Sequence, residues 1–140
     1  MNTVISFTMG NQANYEKSLA IRKKVFIEEQ KVARELEVEN EAEATYFLLL
    51  VDGQPAGTAR WRKTTGGIKL ERFALLPEYR NQNIGTVLLQ FVLKSLERNP
   101  AKMYLHSQLS AVNYYQRQGF IKVGDEFVEA DIRHIKMVKE

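Results

Sequence analysis

At 140 residues, 44% of them hydrophobic and 26% charged, the chain is long enough to bury a core in one domain without metal or disulfide support. It has no cysteine, which excludes a disulfide framework, a thiolate nucleophile, a covalent thioester on the protein and a Cys-ligated metal. A net charge of +3 and a pI of about 9.1 suit an anionic ligand but fall short of the clustered basic patch expected of a nucleic-acid binder. The first residues carry no basic stretch followed by an apolar one, and no apolar run approaches the roughly 18 residues of a membrane span. A soluble, cytoplasmic protein with no membrane partner is expected.

Thr3 to Met9 alternates as a first strand, and Asn14 is placed to cap a helix reaching Glu28. The run Glu35 to Glu43 alternates acidic with other residues and reads either as a solvated face or as an acidic wall that attracts a cationic amine. Thr45 to Val51 is an apolar strand closed by the hairpin signal Asp52-Gly53, from which Ala56 to Lys63 returns. Thr65-Gly66-Gly67 then turns the chain into Ile68 to Leu75, giving three antiparallel strands in succession. From Ile84 the apolar positions Val87, Leu88, Phe91, Val92 and Leu96 keep helical spacing until Asn99-Pro100 stops them. Lys102 to Ser107 reads as a strand and Ala111 to Gln118 as a short helix ended by Gly119. Phe120 to Val123 and Ile132 to Val138 read as closing strands. The fold class that results is mixed α/β: one mostly antiparallel central sheet flanked by helices.

The segment Leu70 to Thr86 carries the chemistry. An apolar strand enters a short polar loop, Arg80-Asn81-Gln82-Asn83, which opens directly onto the helix that starts at Ile84. The first N–H groups of a helix have no partner inside it, and their partial charge adds to the macrodipole, so a diphosphate is stabilised there. No Gly-Lys-Ser/Thr follows, which rules out a Walker loop, and the three spaced glycines of a dinucleotide fingerprint are missing.

This loop resembles the Gln/Arg-x-x-Gly-x-Gly/Ala acetyl-CoA loop of the GCN5-related N-acetyltransferase superfamily, with Asn83 where a glycine is usual. Asn tolerates positive φ well, and the phosphates are held by main-chain N–H groups, so the mechanism survives the exchange. Ala111 to Phe120 resembles the family's Ala-x-x-Phe-Tyr-x-x-x-Gly-Phe segment, with Tyr114 in place of phenylalanine. A narrower likeness, to the ElaA/YjcF-like branch, rests on Arg22-x-x-Val25-Phe26-x-x-Glu29-Gln30, Glu71-Arg72, Ser107-Gln108 and Ile132-Arg133-His134-Ile135-x-Met137.

The resemblance implies an enzyme that moves an acetyl group from acetyl-CoA to a primary amine of a small molecule or peptide by direct attack in a ternary complex. It implies that main-chain groups at Phe73, Ala74 and Leu75 pair with the pantetheine arm, the Phe73 N–H helping to hold the thioester oxygen. It further implies that Arg80, Asn81, Gln82, Asn83, Ile84, Gly85 and Thr86 hold the pyrophosphate, with Tyr114 and Gln108 completing the cofactor set. For pairing with the cofactor, the strand ending at Leu75 must diverge from the one starting at Lys102 and leave a wedge. By the same resemblance Tyr115 is the acid that protonates the departing thiolate, its bland alternative being a packing aromatic. Glu71 is either a base acting through water or the partner of Arg72 or Lys69 in a salt bridge.

Projected at 100° per residue, Arg22 and Glu29 share a stripe with Tyr15, Leu19 and Phe26, so two charges fall on the covered side. They are expected at the acceptor pocket, unless Arg22 snorkels and Glu29 has a structural role. Arg72 and His134 complete the expected acceptor residues, His134 with a structural role as its alternative. The two histidines lack His-Glu-x-x-His spacing, so no metal is expected. Two rivals stand beside the enzyme. One is a catalytically silent acyl-CoA sensor. The other is a nucleic-acid binder using Arg60, Trp61, Arg62 and Lys63, although strand alternation splits that cluster between faces. A homodimer is compatible with the resemblance.

Overall fold

A computed structural model describes residues 1–139. Seven strands form a single sheet: β1 (Asn2–Thr8), β2 (Thr45–Val51), β3 (Gln54–Thr64), β4 (Gly67–Leu75), β5 (Met103–Gln108), β6 (Phe120–Glu129) and β7 (Ile132–Lys139). Their order is β1-β2-β3-β4-β5-β7-β6, and every neighbouring pair is antiparallel except β4 with β5. The helices are α1 (Gln12–Arg22), α2 (Arg34–Glu37), α3 (Ile84–Ser95) and α4 (Val112–Arg117). The expected class is therefore the observed one.

The alternation of β2 splits the core between the two faces of the sheet. Phe47 and Leu49 join Leu70, Leu88, Val92, Leu105 and Met137 under α3, while Tyr46 and Leu48 join Phe7, Tyr15, Ile21 and Val25 under α1. Each such side chain, fully buried, contributes about 1.5–3 kcal/mol of transfer free energy. The Asp52-Gly53 hairpin has φ of 49° and 82°, the two positive values that a tight turn between right-twisted strands requires.

Three local expectations change. The cap of α1 is Asn11 rather than Asn14: the Asn11 side chain accepts the Asn14 N–H at 3.2 Å. The helix then widens into a π-helical segment, Lys23–Glu29, a rare geometry that shifts the register of every residue after Arg22. The last hairpin is longer than the sequence suggested. β6 runs to Glu129 with an irregularity between Val123 and Phe127, and it turns at Ala130-Asp131, both with positive φ, without a glycine.

Candidate active site

β4 and β5 pair only at Ile68–Met103, Lys69–Tyr104 and Leu70–Leu105, and then diverge. The cause lies on the other side of β4. Thr58 opposes Ala74 and Arg60 opposes Glu71, so Ala59 alone faces Arg72 and Phe73 across a β-bulge. Arg72 adopts φ of 59°, uncommon for a residue with a long side chain. Its guanidinium donates to the Leu36 carbonyl at 2.9 Å and the Glu37 carbonyl at 3.2 Å, so it pins α2 over the bulge. The expected wedge is present, and the bulge bends β4 away to open it.

On one side of the wedge lies a cavity of about 780 Å³. Phe73, Ala74, Leu75, Arg80, Asn81, Asn83, Gly85, Thr86, Tyr114 and Tyr115 are among its walls. Asn81 and Asn83 have φ of 63° and 61°, so asparagine does take the left-handed conformation for which the usual glycine is suited. The Asn83 side chain makes no cap, which leaves the first N–H groups of α3 open to a ligand. A Cβ on Gly85 would stand 3.3 Å from Leu75 Cδ1, so strand and helix meet closely at the floor of this cradle. Tyr114 Oη and Thr86 Oγ1, 3.1 Å apart, tie α4 to the first turn of α3.

Not every expected cofactor residue faces this cavity. Ile84 is buried in the core under α3, and the Gln82 amide donates to the Glu78 carbonyl. Gln108 lies on the other cavity, where its amide donates to Gln30 Oε1 at 2.9 Å. Arg80 borders the cradle but is held by Glu29, with both Nη atoms 2.8 Å from carboxylate oxygens. Glu29 lines neither cavity, which corrects its expected place in the acceptor pocket: the π-helical segment turns it toward the phosphate loop.

The second cavity, about 350 Å³, is walled by β4, β5, β7 and the loop carrying α2. Phe73, Ala111 and Tyr115 border both cavities, so the two meet at the Tyr115 ring. Burial raises the Tyr115 phenol above its ordinary value, so it stays protonated and able to donate. Rings of Tyr114 and Phe120 hold it edge-on at 5.3 and 5.7 Å.

His134 borders the second cavity, stacked on Phe127. Its Nδ1 lies 2.7 Å from the Ile132 carbonyl oxygen, which can only accept, so Nδ1 carries a proton and Nε2 is the nitrogen left to exchange one. Nearby, His106 Nδ1 is 3.1 Å from Glu129, and this hydrogen bond holds the Glu129 carboxyl down at about 2. The sequence does not mark Glu129 as a pocket residue, because the polar stretch after Val123 looks like a loop, and it leaves His106 on a predicted strand with no partner in view. The only hint was the alternation that carries β6 on to Glu129.

Glu71 borders the same cavity, and of its two expected roles the geometry matches the salt bridge. Its carboxylate takes Arg60 Nε at 2.7 Å and Arg62 Nε at 3.1 Å, with Lys69 Nζ at 3.4 Å. Burial pushes its pKa up, yet Arg60, Arg72, Lys69 and Arg62 outweigh burial and hold it below the ordinary range. A carboxylate so stabilised is a weak base.

Arg22 is corrected too. It is 1% exposed, touches neither cavity, and forms a bidentate pair with Glu37 at 2.8 and 3.0 Å while also donating to Glu41. Glu41 in turn accepts from Arg60, Tyr15 and Tyr46, and the Tyr46 phenol is pushed up to about 12 by burial and by this carboxylate. The acidic segment is thus divided: Glu35, Glu39 and Glu43 are exposed, Glu39 on the rim of the second cavity. Two of its carboxylates turn inward and neutralise arginines that the sheet and α1 bury, as buried charge requires. Arg60 being fully buried also removes it from any nucleic-acid surface.

A splayed parallel strand pair, an uncapped helix N-terminus at the mouth of the splay and a phenol where two cavities meet define an acyl-CoA-dependent transferase architecture. Family comparison agrees: residues 9–140 match the acetyltransferase (GNAT) domain, and the chain belongs to that family of N-acetyltransferases. Among curated proteins it is similar to YyaT of Bacillus subtilis strain 168, with 32% identity over 134 residues, covering 92% of this chain and 90% of YyaT. It is also similar to the N-acetyltransferase YjcF of the same organism, with 29% identity over 133 residues, covering 93% and 95%. Among solved structures, Escherichia coli ElaA superposes with a TM-score of 0.88 at 22% identity, over 99% of both chains. The branch expected from the sequence is the one these relatives define. Among the described residues no helix is long and apolar enough to cross a membrane, and no cluster of acidic, His or Cys side chains could hold a metal ion.

Proposed function

We propose that the chain acetylates a primary amine, the acetyl-CoA lying in the wedge and the amine entering through the 350 Å³ cavity. The observation that carries this reading is the meeting of the two cavities at Tyr115, which lets donor and acceptor be present together. Two solved structures of the same fold contain the cofactor: a GNAT family acetyltransferase from Elizabethkingia anophelis with acetyl-CoA bound, and the PaiA N-acetyltransferase of Thermoplasma acidophilum in complex with coenzyme A. The open N–H groups of α3 and the close floor at Gly85 fit the pyrophosphate of that cofactor.

When bound, acetyl-CoA supplies a thioester: the acceptor nitrogen bonds to its carbonyl carbon as the carbon–sulfur bond breaks, leaving an amide and the free thiol. Tyr115 donates its phenolic proton to the sulfur as it leaves. Because Glu71 is occupied, we assign the ammonium proton to Nε2 of His134, whose other ring nitrogen is held by the Ile132 carbonyl. The Phe73 main chain, exposed on the wedge by the bulge, orients the carbonyl oxygen. With no cysteine to carry an acyl group, direct transfer is the simplest route.

The test is release of free thiol from acetyl-CoA across a panel of primary amines, with mass spectrometry of the acetylated product. Tight binding of acetyl-CoA with no product from any amine would overturn the reading in favour of a sensor. A second expectation concerns Arg80. The Glu29 pair competes with the pyrophosphate for its guanidinium, so Glu29→Gln should tighten acetyl-CoA up to about fivefold, the worth of an exposed ion pair of about 0.2–1 kcal/mol. Titration calorimetry of the two proteins would read this, and weaker binding in the variant would count against the competition.

A further inference from the structure

The charges around the acceptor cavity do not balance. Five basic side chains, Arg22, Arg60, Arg62, Lys69 and Arg72, meet three carboxylates, Glu37, Glu41 and Glu71, in one connected cluster. Three of the arginines are satisfied: the deep Arg22 and Arg60 have carboxylates and main-chain carbonyls for their donors, and the more exposed Arg72 has the carbonyls of α2 and the Glu37 carboxylate. The excess falls on Arg62 and Lys69, which border the cavity beside Arg72. Arg62 and Lys69 face each other across β3 and β4. Arg62 uses only Nε, toward Glu71, and among the described residues its two Nη groups have no hydrogen-bond acceptor. Lys69 Nζ makes no close ion pair, approaching at 3.4 Å a carboxylate already shared by two arginines and acting on Glu129 only through its field. Their side chains are 20% and 12% exposed, so water screens them poorly. Of the other acids on this cavity, Glu129 is engaged by His106 and Glu39 stands on the exposed rim.

We infer that Arg62 and Lys69 form an anion subsite in the acceptor cavity, and that the acceptor is an amine carrying a carboxylate or phosphate at a distance from the reacting nitrogen. This inference rests on the acetyltransferase reading and names its substrate class. It reverses the cationic acceptor suggested by the acidic run, because the two carboxylates of that run that turn inward are spent on buried arginines. The spacing follows from the strand. Lys69 lies four residues before Phe73, about 13 Å along β4 at ~3.3 Å per residue, and its side chain spans part of that gap. The anion therefore sits several bonds from the amine, as in an ω-amino acid, while the nitrogen lies near Tyr115 and His134.

Titration calorimetry of the CoA-saturated protein with compounds differing in one end group tests this. The probes are 6-aminohexanoate, 6-aminohexyl phosphate, hexylamine and 1,6-diaminohexane, with 4-aminobutyrate as a shorter acid. The anionic amines should bind at least about tenfold more tightly than hexylamine or the diamine, and the two six-carbon anions tell a carboxylate acceptor from a phosphate one. In the Arg62→Gln, Lys69→Gln double variant the preference should vanish, and Lys69→Arg should keep it. A CoA titration of each variant reports whether the wedge still folds. Equal or tighter binding of hexylamine or the diamine, no binding by any anionic amine, or a preference that survives the double variant would each overturn the subsite. Failure of the transferase reading is separate: it shows as absent thiol release whichever amine binds.

Discussion

Tyr115→Phe is expected to lower kcat by about 10²- to 10⁴-fold, the usual worth of a positioned general acid, while leaving KM for acetyl-CoA nearly unchanged. The ring is held by Tyr114 and Phe120 through edge contacts that phenylalanine reproduces, so the change removes one oxygen and little packing. The hydroxyl matters only as sulfur leaves with developing negative charge, which is why the loss falls on turnover and not on affinity. Burial keeps the phenol protonated throughout the working pH range, so no alkaline loss of activity should trace to its ionisation. Activating the leaving group separates this role from a packing role. A thioester with a more acidic thiol should recover much of the lost rate in the variant, and an equal loss with both thioesters would assign Tyr115 to packing.

Arg22→Met should cost about 3–5 kcal/mol of stability, the price of leaving buried carboxylates without their partner. For a chain of this size that corresponds to a fall in Tm of about 10–20 °C. Glu37 loses both hydrogen bonds from the guanidinium, and Glu41 keeps Arg60 but loses Arg22. Because Arg22 touches neither cavity, kcat and KM of the folded variant should match the parent, and a selective rise in the amine KM would return Arg22 to the acceptor site. The cluster also sets an acid limit. Glu41 and Glu71 titrate below their ordinary value in the fold, each raised by burial but lowered further by arginines. Their contribution is therefore complete above the unfolded value of ~4.3 and is lost as pH falls below it, through the folded values. Thermal melts should fall steeply on that acid side and change little between neutral pH and pH 6 on account of these groups.

What was legible in the sequence follows from local chemistry. The strand, polar loop and amphipathic helix from Leu70 to Leu96 announce their geometry within one continuous segment, and Asn81 and Asn83 declare a tolerance for positive φ that the backbone uses. The acceptor side was legible only in part. Arg22 and Glu29 share a stripe at 100° per residue, but a π-helical segment breaks that projection between them and sends one to the core and the other to Arg80. Alternating glutamates from Glu35 to Glu43 look solvated because a charge run carries no mark of its partners, and those partners lie on α1 and β3. His106 and Glu129 are 23 residues apart and meet only because β7 lies between their strands in the sheet.

The most direct test of simultaneous donor and acceptor binding is initial velocity measured while acetyl-CoA and a reactive amine are both varied. Intersecting double-reciprocal lines, with product CoA competitive against acetyl-CoA, are expected from two cavities that meet at Tyr115. Parallel lines, with an acetylated protein detectable by mass spectrometry before any amine is added, would contradict direct transfer and require a covalent carrier on this chain.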